Sequence, residues 1–199
     1  MNAASPPRRR RSVLGLLAVL FLAPVAVAFY LYYGGWRASG NVSHGELITP
    51  ARPLPEVSLS GPDGVPSASL FKGKWSLIYA DNGSCDADCR HALYVMRQVR
   101  LSLNQNMDRV QRVFLYRGEC CEEPYFSTEQ RGLIARRLDS AAGAELLAAL
   151  EATAPMREER ARIWIADPLG NLMMSYPPDA DPKGMIADLK KLLKLSHIG

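Results

Sequence analysis

The stretch from Trp75 to Val99, WSLIYADNGSCDADCRHALYVMRQV, constrains this chain more than any other. Trp75–Ala80 is an apolar run of strand length, and Asp81–Ser84 breaks it as a loop. An amphipathic helix then follows, because Ala92, Met96, Val99 and Leu103 recur at the four, three, four spacing that sets them on one helical face. A strand that feeds straight into a helix presents Cys85 and Cys89 at the helix N-terminus. The free N–H groups and the dipole there favour thiolate over thiol. Asp86 and Asp88 oppose that by charge repulsion, so spacing alone does not fix how reactive the two thiols are.

The N-terminal third is of a different kind. Residues 1–12 form a polar, basic tail that holds Arg8 to Arg11, and Val13 to Tyr33 carries no charge over 21 residues. At 1.5 Å per residue that length crosses about 30 Å of hydrocarbon. A cleaved signal peptide is the rival reading, with small residues at Ala26–Ala28, but its apolar core is shorter. The aromatic cluster Phe29, Tyr30, Tyr32, Tyr33 and Trp36 is that of an interfacial belt, which favours an anchor. Four arginines before the span and Arg37 after it put the N-terminus in the cytoplasm and the rest outside. In a bacterium this means an inner-membrane protein with a periplasmic domain.

Five of the 24 basic residues precede Asn41, which leaves 19 against 20 acidic ones, so the net charge of +4 belongs to the tail. The exported part is nearly neutral and has no nucleic-acid surface. Residues 34–56 read as a tether, with Pro50, Pro53 and Pro55 favouring extended backbone and His44 solvated within it.

Residues 57–199 read as one domain. Val57 to Leu70 suggests a hairpin turning at Gly61–Gly64. Val110 to Tyr116 is a second apolar strand. Ser127 with Gln130 has capping-box spacing, which predicts a helix, or a pair of them, running on to Leu150. Arg162 to Ala166 and Asn171 to Tyr176 are strands joined at Asp167–Gly170. Asp181 caps a last helix with Pro182 in its first turn and an apolar stripe of Met185, Ile186, Leu189, Leu192 and Leu193. This order is the thioredoxin topology with a β-hairpin added in front: an α/β fold, a mixed sheet flanked by helices.

On these residues the chain resembles the Sco/SenC family. The likeness runs from about Leu54 onward and rests on Phe71-Lys72-Gly73-Lys74-Trp75, on Cys85 and Cys89, and on Trp164-Ile165-Ala166-Asp167-Pro168-Leu169-Gly170. His44-Gly45-Glu46-Leu47-Ile48, with Pro50 and Arg52-Pro53-Leu54, also resembles small anchored proteins that accompany oxidase assembly genes in proteobacteria. The resemblance implies a membrane-anchored, thioredoxin-like protein of cytochrome c oxidase assembly. It also implies Cu(I) on Cys85 and Cys89, and oxidase subunit II or another copper or assembly protein as partner. Three positions depart from the family. Arg90 stands where the family has proline, Gly118-Glu119-Cys120-Cys121 where it has Asp-Pro, and Met156 to Arg162 lacks the family's histidine ligand.

Two soft thiolates suit Cu(I), whereas Cu(II) asks for imidazole. His91 is a weak candidate ligand, because two residues beyond Cys89 on a helix it points away from the sulfurs; His197 is the other histidine. The same pair can instead exchange with a partner's disulfide, or form a purely structural bridge. Cys120 and Cys121 are expected not to bridge each other, since adjacent cysteines would close a strained ring. Their loop and the Cys85 loop leave the same end of the sheet, so they read as extra ligands, as resolving thiols or as thiols without a role. Met173 and Met174 point to opposite strand faces, which argues against a thioether site, and Trp75 and Trp164 read as core. No Ser/His/Asp set, phosphate-cradling glycine loop or zinc quartet is present. Copper holding, thiol–disulfide exchange and an inert assembly scaffold are the three functions left open.

Overall fold

A strand buried on both faces needs apolar residues at every position rather than at alternate ones. Trp75–Ala80 meets that condition, and in the computed structural model all six of its residues are buried. The structure describes residues 8–34, 43–122, 124–153, 162–177, 179–196 and 198, with side chains in the first segment from residue 13. It divides into two units, Met1–Val42 and Ser43–Gly199.

The described residues of the first unit form the helix α1 (Arg8–Tyr33), with Pro24 inside it. Its apolar part, Val13–Tyr33, is long and apolar enough to cross a membrane. The helix starts within the expected tail, so the four arginines extend it.

The second unit is built on a six-stranded mixed sheet. The strands are β1 (Glu46–Pro53), β4 (Trp75–Asn82), β5 (Val110–Arg117), β6 (Leu133–Arg137), β7 (Ile163–Ala166) and β8 (Asn171–Tyr176), in the order β1-β8-β7-β4-β5-β6. β4 pairs in parallel with β5 and antiparallel with β7, in a register that sets Trp75 beside Val110 and Ile78 beside Trp164. Period-two alternation sends Trp75, Leu77 and Tyr79 to one face and Ile78 and Ala80 to the other. The first face packs on α2 (Ala87–Leu101) and α5 (Pro182–Leu195) through Leu93, Met96, Val99, Met185 and Leu189. The second packs on α4 (Ala141–Glu151) and the chain before β4, through Leu146, Leu150, Leu54, Leu59 and Phe71. Leu77, Ile78, Leu146 and Leu150 have no exposed surface, and each such burial contributes about 1.5–3 kcal/mol.

The expected hairpin is β2 (Leu59–Ser60) with β3 (Pro66–Ser67), closed by Gly61 N donating to Val65 O at 3.0 Å. The β7–β8 turn is held by Asp167, whose Oδ1 accepts from Leu169 N and Asn171 N at 2.9 and 2.8 Å. Asp181 caps α5 by accepting from Lys183 N at 2.9 Å.

Two expectations are overturned. The tether assigned to residues 34–56 contains β1, which pairs antiparallel with β8 at Glu46–Ser175 and Pro53–Asn171. Prolines are tolerated there because β1 is an edge strand, and the register shifts between Leu47 and Arg52, around Pro50. His44 is accordingly no free linker residue. Its backbone N donates to Asp188 Oδ2 at 2.7 Å and its ring Nδ1 lies 3.2 Å from Asp188 Oδ1. Gly45 N and the Tyr176 hydroxyl donate to the same carboxylate at 3.1 and 2.9 Å. Burial alone would raise the Asp188 pKa, but these bonds outweigh it and hold the carboxyl below its ordinary value. Residues 35–42 of the expected tether lie outside the described residues.

The helix expected from Ser127 to Leu150 is also absent as one element. The turn Tyr125–Thr128 (α3) is followed by β6, parallel to β5, and only then by α4. The Ser127–Gln130 pair forms no capping box. Gln130 is buried, accepting from Arg112 Nη1 at 2.7 Å and donating to the Tyr125 hydroxyl at 3.0 Å. Gly132, with φ +76°, turns the chain into β6. The real cap of α4 is Ser140, accepting from Gly143 N at 3.1 Å. Of the histidine-free stretch Met156 to Arg162, all but Arg162 lies outside the described residues; Arg162 is buried and donates to Glu46 and to Ser175 Oγ.

Candidate functional site

β4 and β5 run parallel with Asn82 beside Arg117, so the loops that follow them leave the same end of the sheet. The β4 loop is held by Gly83 N donating to Arg117 O at 2.8 Å and by Cys85 N donating to Asn82 O at 3.1 Å. Gly83 is required for close approach. A Cβ there would sit 2.1 Å from Glu119 O and 3.0 Å from Cys120 Cβ. Cys85 occupies the left-handed region at φ +48°, and Asp86 then caps α2 by accepting from Cys89 N at 3.0 Å. Cys89 therefore lies in the first helical turn, as its spacing predicts. The two cysteines form a disulfide with Cα atoms 5.1 Å apart, buried at 2% and 0% exposure.

Cys120 and Cys121 bridge each other, contrary to expectation. The peptide between them is cis, which brings their Cα atoms to 3.1 Å. They are half-buried, and Cys120 packs against the apolar cluster that contains Cys85 and Cys89. Both line an open cavity of about 490 Å³, together with Phe126, Gln130 and Ala135.

Arg90 joins the two loops. Its Nε donates to Cys85 O at 3.2 Å, its Nη2 to Glu122 at 2.7 Å, and its guanidinium stands 4.9 Å from the centre of the Tyr125 ring. The Tyr125 hydroxyl donates back to Arg90 O at 3.4 Å. Spacing does not reveal this clamp, because its members are more than thirty residues apart; the one signal was an arginine where the resembled family has proline.

His91 is exposed on α2, and His44 is engaged with Asp188. His197 lies outside the described residues. Among the described residues no cluster of three or more His, Cys, Asp or Glu could hold a metal ion. Met174 is buried and Met173, half-buried, packs against the same apolar cluster, because the β7–β8 register shifts between Ile165 and Ala166 and breaks the alternation expected of the strand; Trp75 and Trp164 are core. Tyr79, whose hydroxyl donates to Asp81 at 2.8 Å beneath the loop, is held protonated by burial and by that carboxylate. When reduced, the Cys85–Cys89 pair supplies two sulfurs, a donor set that on its own fits Cu(I) and not Cu(II).

A mixed sheet with a Cys-x3-Cys pair where its central strand meets a helix defines a thioredoxin-like domain. Residues 75–196 match the model of the transmembrane-like, thioredoxin-like, C-terminal domain family, and the chain belongs to that family. A search of curated proteins found no match. Among solved structures the domain is similar to apo Sco1 from Thermus thermophilus, at TM-score 0.61 and 19% identity over 78% of this chain and 99% of that one. It is also similar to copper-bound ScoI from Bradyrhizobium japonicum, at TM-score 0.51 and 19% identity over 71% and 98%. The thioredoxin domain of a thiol–disulfide oxidoreductase from Bacteroides vulgatus follows at 0.53 and 13% over 71% and 95%. The shared fold is thus the thioredoxin-like, Sco/SenC-like one expected from the sequence.

Proposed function

We propose that this protein serves cytochrome c oxidase assembly as a membrane-anchored thiol–disulfide reductant, keeping the copper-site cysteines of subunit II or of another assembly protein reduced. α1 is the anchor, with the N-terminus cytoplasmic and the domain periplasmic. The observation that carries the reading is the Cys85–Cys89 disulfide at the start of α2, with no metal-holding cluster of His, Cys, Asp or Glu among the described residues. Cys85, in the loop, attacks the partner's disulfide as thiolate and forms a mixed disulfide while one partner sulfur leaves. Cys89, fixed in the first turn of α2, then attacks Cys85. The Cys85–Cys89 bond forms, the mixed bond breaks, and the partner is left as a dithiol. The N–H groups of the first turn favour the thiolate, while Asp86, which already takes Cys89 N–H, opposes it by its charge.

Holding Cu(I) between the same sulfurs is the second reading, favoured by the likeness to the copper-bound ScoI fold. Two thiolates bind Cu(I) exchangeably, which suits transfer. One experiment separates the two. Full-length protein, purified reduced, is given an oxidised two-cysteine peptide and, separately, Cu(I) against a competing chelator. Stoichiometric peptide reduction with weak copper retention is expected, and Cys85→Ser or Cys89→Ser should abolish both. Tight copper retention without peptide reduction would reverse the order of the two readings. Serine variants that leave oxidase assembly intact would leave only the scaffold.

A further inference from the structure

The Cys120–Cys121 bridge has no part in the function just proposed, yet its surroundings tie it to Cys85–Cys89. The Gly83 backbone lies against the Glu119 carbonyl at a distance only glycine allows. Cys120 packs on the cluster that holds Cys85 and Cys89. Arg90 reaches from the Cys85 carbonyl to the carboxylate of Glu122, the residue after Cys121. In the oxidised chain the two bridges also differ in exposure: Cys85 and Cys89 are buried, whereas Cys120 and Cys121 are half-buried and face a cavity of about 490 Å³.

We propose that Cys120–Cys121 is a second redox site, through which an external dithiol recharges the buried Cys85–Cys89 pair. The proposal rests on the reading that Cys85 and Cys89 cycle between dithiol and disulfide. The external dithiol reduces Cys120–Cys121 by two successive exchanges and leaves as a disulfide. The Cys120 thiolate then attacks the Cys85–Cys89 bond, forming one inter-pair disulfide and releasing the other sulfur as thiolate, which takes up a proton. Cys121, deprotonated, attacks Cys120, so that Cys120–Cys121 re-forms and the second sulfur of the buried pair is released. Two electrons and two protons pass from the external dithiol to Cys85 and Cys89, and nothing else is consumed. Holding both pairs in one chain gives the inner exchange a high effective concentration that a dilute external dithiol lacks.

The test uses full-length protein, oxidised, with a sub-stoichiometric amount of dithiothreitol as the dithiol, quenched by alkylation and read by peptide mass. Label should enter Cys120 and Cys121 first, then move to Cys85 and Cys89 after the reductant is exhausted. The Cys120→Ser, Cys121→Ser double variant should reduce Cys85–Cys89 roughly tenfold more slowly. Once reduced chemically, it should still reduce the two-cysteine peptide at the parent rate. The Cys89→Ser, Cys121→Ser variant should yield an intramolecular Cys85–Cys120 disulfide. First labelling at Cys85 and Cys89, or no inter-pair disulfide in any variant that keeps one cysteine of each pair, overturns the relay. Loss of peptide reduction by the pre-reduced parent would instead overturn the function proposed above, so the two failures are distinct.

Discussion

Asp188 is the residue whose replacement most directly tests how the segment before the domain is fastened to it. Asp188→Ala removes the acceptor of hydrogen bonds from His44 N, the His44 ring, Gly45 N and the Tyr176 hydroxyl. His44 is 59% exposed, so water replaces what its groups lose. Gly45 and Tyr176 are buried, and their donors are stranded. A stranded buried donor costs about 1–3 kcal/mol, so two give a loss of roughly 2–6 kcal/mol. Asp188→Asn keeps the shape and one acceptor oxygen but not the charge, and charge-assisted bonds are about twice as strong as neutral ones. The loss there is about 1–2 kcal/mol. Urea unfolding followed by far-UV circular dichroism, on parent, Asn and Ala variants, should rank them in that order with an unchanged m-value.

The same series has a pH arm. The folded Asp188 pKa is depressed. Its contribution is therefore fully present above the unfolded value of about 4 and is lost as pH falls through the folded pKa. The parent should lose stability across that acid window, and Asp188→Asn, with no proton to take up, should lose less of it. An Ala variant within about 0.5 kcal/mol of the parent, the ordinary spread of surface substitutions, refutes the argument. So does an Asn variant whose acid limb matches the parent's.

Two further outcomes follow from geometry already described. Gly83→Ala forces a Cβ against the Glu119 carbonyl and should destabilise the domain by about 1–3 kcal/mol in the same urea assay, which an unshifted midpoint would contradict. Full-length protein should remain in membranes after carbonate extraction, because Val13–Tyr33 is an uncharged span of 21 residues; a soluble form beginning near residue 29 would refute the anchor.

What was legible in the sequence is what local chemistry determines. β4 with α2 combines apolar runs of strand and helix period, and the β7–β8 hairpin and α5 add a turn or cap whose side chain makes the bond its type implies, as Asp167 and Asp181 do. β6 was not legible. Its five residues lead within four positions into the Ala- and Leu-rich α4, so helix propensity masks a short strand that only pairing with β5 stabilises. β1 was hidden by its prolines, which exclude a central strand but not an edge. The Cys120–Cys121 bridge runs against the expectation from ring strain, and no residue pattern announces it.

The two positions where the chain departs most from the Sco/SenC pattern near the sulfurs, Arg90 and Cys120-Cys121, meet in space, and one explains the other. Arg90 N donates to Asp86 O at 2.9 Å, a bond of the first helical turn that proline could not make. Its side chain then crosses to Glu122 and Tyr125, on the loop where the family has Asp-Pro and this chain has its second cysteine pair. An exposed ion pair alone contributes at most about 1 kcal/mol, so this clamp is a weak source of stability. Its effect is positional. It spans the carbonyl of one bridged cysteine and the neighbour of another, and Gly83 lets the two loops close to contact. The arginine, the glycine and the extra cysteine pair therefore meet in one packed arrangement of the two loops.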